Sequence, residues 1–284
     1  MKDYQHMLFP YAYNILGTAD DAKDAIQDVL YKFLAAGKED MDDPKNYLIR
    51  SVINQSINIK NKRKKLQLGD MWLPEPVDTE GADTNINLSE IVSYSLLILL
   101  EQLNAKERAV FILKEAFAYS HEEIADTLSV TVDHSRKLLS RAKQKIDQVH
   151  APVTAPKKEA ITPAVLEKFM HAIRGRDIKS LESLLAEDIA FYADGGSNMK
   201  VFAKTCTGIQ EVADLLVFVY HKYDTGLTVT IGEINHQPAL LFYNGDKLTI
   251  CQVFGIDPES NKIFQISNVL DPEKLKSIGN GDHN

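Results

Sequence analysis

The sequence lacks the features that mark secreted, disulfide-stabilised or membrane-spanning chains. It has two cysteines, Cys206 and Cys251, whose spacing fits neither a disulfide framework nor a zinc site. Its longest apolar stretch, residues 91–100, is interrupted by polar side chains and is too short to cross a bilayer. The first residues place an acid at position 3 and contain no continuous apolar segment, so no secretory signal is expected. We therefore expect a soluble cytoplasmic protein with no membrane contact and no bound metal or cofactor.

Charge is distributed unevenly along the 284 residues, a length that fits two or three domains. The formal net charge is −8, whereas free-standing DNA-binding proteins are usually basic. Residues 67–103 carry seven acidic side chains and no Lys or Arg, while residues 1–66 have a net charge of +2. This pattern indicates an acidic connector between two blocks that are close to neutral.

The first half of the chain has helical periodicity nearly throughout. Apolar residues between Ala22 and Leu34 recur three and four positions apart, which predicts a helix with one buried face that ends near Gly37. A second helix is predicted from Pro44 to about Lys62, since proline is tolerated in the first helical turn. Residues 66–88 contain two Pro and two Gly without a sustained period and are typical of a linker.

The C-terminal part changes from helical to strand periodicity. Helices are predicted over residues 163–174, 178–186 and 208–222, and four β-rich runs follow Gly226. Asn244-Gly245-Asp246 between two of these runs predicts a hairpin. This order predicts an α+β domain with an antiparallel meander after its helices. The predicted domains are residues 1–66, a linker over 67–88, residues 89–149, a linker over 150–162, residues 163–276 and a tail over 277–284.

Residues 120–145 have the pattern of a helix-turn-helix. Ser120 and Glu123 form a capping box, a tight turn is predicted near Ser129, and a second helix is predicted to start near Thr131. In this motif the second helix enters the DNA major groove by its N-terminal end. The bland alternative is a helical hairpin with a solvated basic face. The exposed candidates for DNA contact are His134, Arg136, Lys137, Ser140 and Arg141.

A polar stripe follows the helix that begins at Pro44. Asn is a poor helix former, and three Asn on one stripe indicate selection for something other than helicity. Asn side chains can bind adenine or unstacked bases, and the cations that follow suit a phosphate backbone. An ordinary solvated helix end is the alternative. The stripe comprises Arg50, Asn54, Asn58 and Asn61, and the basic run comprises Lys60, Lys62, Arg63, Lys64 and Lys65.

Several ordered motifs in residues 1–148 together carry a family resemblance. They are GTADDAKDAIQ at 17–27, NYLIRSVIN at 46–54, LNAKERAVF at 103–111, EEIA at 122–125 and SRAK at 140–143. This order resembles an extracytoplasmic-function (ECF) sigma factor of the sigma-70 family of bacterial RNA polymerase. Tyr47 and Lys23 stand where the family usually has Trp and Glu, so promoter preference is not carried over.

The resemblance implies a role for each helical surface and names core RNA polymerase and promoter DNA as partners. The polar stripe and basic run lie where the family reads and melts the minus-ten element, and the helix-turn-helix lies where it reads the minus-thirty-five element. The acidic connector suits a linker that threads a channel built for nucleic acid, because carboxylates imitate phosphates. The helix similar to the one that docks on the polymerase clamp helices carries Asp24, Gln27, Asp28 and Tyr31.

The linker extends the resemblance to a subgroup with a fused SnoaL-like C-terminal domain. WLPEP at 72–76 matches that subgroup's linker motif, and its DGGGK and NPDKL motifs occur in altered form at 194–200 and 271–275. We expect the C-terminal domain to regulate the sigma domains through this linker. Packing of Trp72 on its own sigma domain is the alternative. The expected contact residues are Trp72, Leu73, Pro74, Glu75 and Pro76, with Asp271, Pro272, Lys274 and Leu275 as returning partners.

SnoaL-like folds are cone-shaped barrels of the NTF2-like class that enclose a pocket, and some members are enzymes. The candidate acids and bases His171, His221, His236 and Asp194 have no catalytic spacing, so we assign no catalytic residue and expect a non-enzyme. A small ligand in the barrel remains an expected partner. Two other classes fit parts of the sequence, namely a ligand-sensing one-component regulator and a cyclase or isomerase fused to a DNA-binding module. The aromatic residues expected in the barrel core are Phe191, Tyr192, Phe242, Tyr243 and Phe254.

Overall fold

The structure is a computed structural model. The chain divides into two compact units. The first unit comprises residues 1–70, 81–92 and 96–150, and the second comprises 71–80, 93–95 and 151–284. Part of the predicted linker therefore belongs to the same unit as the C-terminal residues. The residues that the structure describes are 2–38, 40–64, 72–80, 88–148, 163–196, 201 and 205–279.

Three helices form the N-terminal part of the first unit. α1 spans Lys2–Leu16, α2 spans Ala19–Ala35 and α3 spans Pro44–Lys64. The predicted apolar face of α2 is buried, and Gly37 follows the helix with a left-handed φ of 59°. Both features confirm the sequence prediction for this helix.

Four further helices are described between residues 94 and 147, and they belong to the first unit except for Tyr94 and Ser95, which begin the first of these helices. α4 spans Tyr94–Leu100, α5 spans Ala105–Glu115, α6 spans His121–Leu128 and α7 spans Val132–Asp147. The predicted capping box of Ser120 is present at the start of α6. α6 ends at Ser129, whose φ of 52° makes the tight turn into α7. The helix-turn-helix prediction is therefore confirmed.

In its described residues, the second unit contains a six-stranded sheet and four α-helices. The helices are α8 at Pro163–Arg174, α9 at Ile178–Leu184, α10 at Ile209–Val219 and α11 at Pro272–Gly279. α10 continues into a π-helical turn at Tyr220–Asp224. The strands are β1 Leu185–Asp194, β2 Thr205–Thr207, β3 Thr228–Ile234, β4 Gln237–Asn244, β5 Lys247–Ile256 and β6 Ile263–Val269.

The sheet corrects part of the predicted topology. Its order is β2-β1-β6-β5-β4-β3, and β3 to β6 form the predicted antiparallel meander. The sequence analysis missed β1 and β2 and extended the α9 prediction into β1. β1 pairs in parallel with β6, with Ala193 opposite Asn268 and Asp194 opposite Val269. Glu187 and Asp188 are adjacent charged residues near the start of β1. They interrupt the alternation of apolar and polar side chains that would have indicated a strand.

The core of the second unit lies between the sheet and helices α8 to α10. Phe169 of α8 packs edge-on against Phe254 of β5, with ring centroids 4.9 Å apart. Phe191 and Phe242 are also buried in this core, as predicted. The prediction is wrong for Tyr192 and Tyr243, which are only half-buried and lie outside the core. None of the described helices combines the length and apolar composition that crossing a bilayer requires.

Candidate functional site

The exposed face of α7 carries all five predicted major-groove residues. His134, Arg136, Lys137, Ser140 and Arg141 are exposed. The opposite face packs into the unit through Ser135, Leu138, Ala142 and Ile146. The start of this helix is set by the residue just before it. Thr131 caps the N-terminus by accepting a hydrogen bond from the backbone N–H of His134 at 3.1 Å. Arg136, Lys137 and Arg141 therefore lie on the exposed face of this helix, which is the face that would enter a DNA major groove.

The exposed face of α2 carries the four residues expected to meet the polymerase. Asp24, Gln27, Asp28 and Tyr31 are exposed, and 75% of the Tyr31 surface is accessible. A large aromatic side chain exposed to water is typical of a protein-binding surface, in which Tyr is enriched. We call these four residues the α2 face.

Two residues of the predicted minus-ten stripe bind the end of α6 in this structure. Arg50 donates from Nη1 to the Asp126 carboxylate and from Nη2 to the Asp126 carbonyl, both at 2.7 Å. Asn54 donates to the Thr127 carbonyl at 3.0 Å. Both carbonyls lie in the last turn of α6, where helix carbonyls lack intrahelical donors, and the Asp126 carbonyl also accepts from the backbone N–H of Ser129 at 3.3 Å. We call this set of contacts the α3–α6 latch.

Lys60 and Arg63 of the same predicted site are also engaged. Lys60 Nζ lies 3.1 Å from a carboxylate oxygen of Glu101, and burial lowers the Lys60 pKa to about 7 with a further contribution from the charge of Arg108. Arg63 pairs with Asp21 at 2.5 Å. Asn58, Asn61 and Lys62 are exposed, whereas the Lys64 and Lys65 side chains lie outside the described residues.

Glu101 holds two cations at once. Its carboxylate binds Lys60 and also the guanidinium of Arg108, which is fully buried and donates from Nε to the Asn14 carbonyl at 2.8 Å. Burial opposes the negative charge of Glu101, but the two cations outweigh it and lower the Glu101 pKa. Among the described residues, Arg108 Nη2 is a buried donor without an acceptor. We call Lys60, Glu101 and Arg108 the buried triad.

In the second unit, the WLPEP segment is held by the two altered subgroup motifs. Leu73 donates its backbone N–H to Asp194 at 2.8 Å, and Lys274 donates to both the Leu73 carbonyl and Asp194 at 2.6 Å. Lys274 Nζ also lies 4.5 Å from the centroid of the Trp72 ring. Burial opposes charge on Asp194, but Lys274 and the backbone donors outweigh it and lower the Asp194 pKa. We call Trp72, Leu73, Asp194 and Lys274 the linker clasp.

Gly196 lets the clasp close. Its backbone N–H binds Asp194 at 2.8 Å, its φ is +65°, and an added Cβ would lie 2.5 Å from the Asp271 carboxylate. Other predicted contact residues surround this point. Pro74 and Pro76 accept hydrogen bonds from Tyr94 and Ser277, Glu75 and Leu275 are buried, and Pro272 is exposed.

A second anchor of the linker was not predicted from the sequence. Val77 and Asn235 exchange two hydrogen bonds of 2.9 Å, and Asp78 forms an antiparallel bridge with Ile234. Thr79 binds the backbone and carboxylate of Glu233. The signal that could have found it is Asn235-His236, a polar pair between two strands that adopts positive φ in the turn.

A cavity in the second unit is lined by residues that include Phe169, Phe191 and Phe242. None of the four acid–base candidates from the sequence lines it. His171 is exposed, His221 binds the Ile173 carbonyl at 2.9 Å, His236 lies beside Glu233, and Asp194 is in the clasp. The cavity instead contains Asp224, which the sequence analysis missed because it lies two residues past the predicted helix. Among the described residues, no group of three or more His, Cys, Asp or Glu side chains could hold a metal ion.

Two family models match the helical part of the chain. Residues 1–66 match sigma-70 region 2, and residues 95–146 match sigma-70 region 4. The first match covers the α2 face and α3, and the second covers the helix-turn-helix. The chain therefore carries sigma-70 region 2 and region 4 domains, and the exposed α7 face lies in the second of them.

Relatives that align over almost the whole chain show which kind of sigma factor it is similar to. The ECF RNA polymerase sigma factor SigJ of Mycobacterium tuberculosis is 24% identical over 286 residues, covering 95% of this chain and 90% of the relative. The probable ECF sigma factor SigI of the same species is 25% identical, with coverage of 98% and 94%. The crystal structure of SigJ aligns over 97% of both chains with a TM-score of 0.77 and 20% identity. The chain is therefore a homologue of the ECF sigma factors SigJ and SigI, and it shares the fold of SigJ over almost its whole length. These similarities do not favour the one-component regulator or the fused cyclase.

Proposed function

We propose that this chain directs promoter-specific initiation in the cytoplasm as a sigma subunit bound to core RNA polymerase. The observation that carries the proposal is the exposed basic face of α7 in a helix-turn-helix that matches sigma-70 region 4. The α2 face docks on the polymerase, the α3 stripe reads the minus-ten element, and α7 reads the minus-thirty-five element. This role needs no catalytic residue.

The second part of the proposal is that the chain controls its own access to DNA. The α3–α6 latch occupies Arg50 and Asn54, and the buried triad occupies Lys60. These donors cannot bind a base or a phosphate while they bind protein acceptors. The form with a closed latch is therefore inactive for the minus-ten element, and reading that element requires α3 to part from α6.

The third part is that the C-terminal unit acts through the linker clasp. The clasp and the second anchor together hold residues 72–80, which lie in the connector between region 2 and region 4. With this segment fixed, seven residues remain on the N-terminal side up to α3, and seven extended residues reach about 25 Å at most. Closing the clasp thus restricts how far the connector can adjust when the two regions engage a promoter.

Transcription with core polymerase and matched promoter tests the first part of the proposal. Arg141→Ala is expected to lower the yield about tenfold, because loss of one two-bond contact to guanine costs about 1–3 kcal/mol. Arg174→Ala removes an exposed Arg from α8 and is the matched control, with unchanged yield expected. Absence of any transcript with the unaltered chain, or equal yields from the two variants, would contradict the proposal.

Opening the α3–α6 latch is expected to raise transcription. Asp126→Ala removes the carboxylate that binds Arg50, and since that pair is largely exposed its loss costs at most about 1 kcal/mol of closed-state stability. The population of the open form then rises by up to about fivefold, and multi-round transcription measures it. Asp188→Ala, an exposed acid on β1, controls for the change in net charge. An unchanged or reduced yield from Asp126→Ala alone would argue against the latch.

A further inference from the structure

The tight turn between β3 and β4 binds one end of the connector. Asn235 and His236 have left-handed backbones, with φ of 48° and 59°, as a two-residue turn that matches the twist of a hairpin requires. Asn235 exchanges two hydrogen bonds of 2.9 Å with Val77. The backbone N–H of His236 donates to Thr79 Oγ1 at 2.8 Å. The turn therefore fixes residues 77–79.

The next residue, Gln237, binds a different part of the chain. Its Oε1 accepts from the backbone N–H of Ser95 at 2.7 Å, and its Nε2 donates to Ser95 Oγ at 3.0 Å. Ser95 lies in the first turn of α4, where backbone N–H groups have no acceptor within the helix. Both residues are buried, so loss of the pair would leave polar groups that water cannot easily reach. One buried amide thus holds the start of α4.

Two further contacts hold the start of α4 in the second unit. A Cβ added at Gly255 of β5 would lie 2.8 Å from Ser95 Oγ and 2.7 Å from the Phe264 ring, so this close approach requires glycine. Tyr94 is fully buried and donates from its hydroxyl to the Pro74 carbonyl at 2.6 Å. Residues 93–95 accordingly belong to the second unit, although the match to region 4 already begins at residue 95.

We propose that the β3–β4 turn ties residues 77–79 to the first residue of region 4, with Asn235 and Gln237 as positioning residues. The start of α4 cannot move away from residues 77–79 while one turn binds both. Release of either end breaks the tie and frees α4 to adjust when region 4 engages a promoter. The inference rests on the proposed function and adds to the linker clasp a restraint that acts on region 4 itself.

Gln237→Met in the full-length chain tests the tie, because methionine keeps the length of the side chain and loses both bonds to Ser95. Amide hydrogen exchange at Ser95 is expected to become about tenfold faster, since two buried hydrogen bonds are lost. Transcription with core polymerase is expected to rise about twofold or more, because the freed form becomes more populated. Gln210→Met makes the same change at an exposed position of α10 and is expected to alter neither quantity.

A double-mutant cycle with Asn235→Gly tests whether one turn holds both ends. Glycine keeps the left-handed turn and removes the side-chain oxygen that accepts from Val77. Since release of either end breaks the same tie, the double variant with Gln237→Met is expected to transcribe like the more active single variant. Effects that multiply instead would show that the two ends are held independently, and would overturn the tie.

The remaining outcomes separate this inference from the sigma function. Unchanged exchange at Ser95 in Gln237→Met, or faster exchange without more transcript than Gln210→Met, would overturn the positioning role. If Gln237→Met fails to fold, Ser95→Ala removes the Oγ contact at a helical position that suits alanine, and unchanged exchange at residue 95 together with unchanged transcription then overturns the proposal. Absence of a transcript from the unaltered chain contradicts the sigma function instead.

Discussion

Replacement of Lys274 with methionine is expected to destabilise the second unit by about 3–5 kcal/mol, because it leaves a buried carboxylate without its cation. The side chains of Lys274 and Asp194 are 11% and 6% exposed, and their charged atoms lie 2.6 Å apart. Methionine keeps the length and apolar stem of lysine but loses the bonds to Asp194 and to the Leu73 carbonyl. The same change should therefore release the WLPEP segment.

Urea denaturation measures the loss of stability, and amide hydrogen exchange at Leu73 measures the release of the linker. Lys276→Met on the same helix is the matched control, since Lys276 pairs with Glu273 in an exposed position, and its expected effect is below about 1 kcal/mol. Equal effects of the two substitutions, or unchanged protection at Leu73, would contradict the role of the clasp.

The linker clasp also has a pH dependence of defined sign. The folded state lowers the Asp194 pKa, so the charged carboxylate contributes stability above its unfolded pKa of about 3.9. That contribution is lost as pH falls through the folded pKa, which lies lower still. The clasp is therefore fully formed at neutral pH, and Lys274→Met should have its full effect there.

Local sequence signals predicted most helices and the strand meander because each depends on neighbours in the chain. Ser120 and Glu123 set the start of α6, and the apolar period from Ala22 fixed the buried face of α2. β1 was not predicted because its burial depends on pairing with β6, almost 80 residues further along the chain. The acids near its start also interrupt the alternation of apolar and polar side chains. Parallel pairing at such a separation leaves no short-range pattern.

The candidate site likewise contains residues that could be predicted from the sequence and residues that could not. The exposed faces of α2 and α7 follow from helical periodicity, so their residues could be selected from sequence. The latch and the buried triad could not, because Arg50 meets Asp126 and Lys60 meets Glu101 only after distant helices pack. Asp224 gave no signal either, since an isolated acid past a helix is ordinary until three elements enclose it.

Glu101→Gln is expected to destabilise the first unit by about 3–5 kcal/mol, because it leaves two buried cations without an anion. Arg108 is fully buried and cannot lose its proton, so it stays charged in the variant. Lys60 can respond by deprotonation, since its pKa is already lowered to about 7, chiefly by burial. Removal of Glu101 removes the interaction that raises this pKa and should lower it further.

This response predicts how the loss of stability changes with pH. A folded Lys60 pKa below its unfolded value means that stability falls as pH decreases between the two values. In the unaltered chain that fall ends near pH 7, whereas in Glu101→Gln it continues to the lower pKa. The difference between the two proteins should therefore widen from pH 8 to pH 6, as urea denaturation at both values will measure.

Glu115→Gln separates the buried triad from a general effect of charge removal. Glu115 pairs with Lys143 at 2.8 Å, but both side chains are about half exposed, so water replaces the lost contact and the expected cost is below about 1 kcal/mol at either pH. A Glu101→Gln variant as stable as Glu115→Gln would mean that the triad does not hold the helices of the first unit together. A large loss that is the same at pH 8 and pH 6 would retain the triad but contradict the titration of Lys60 within it.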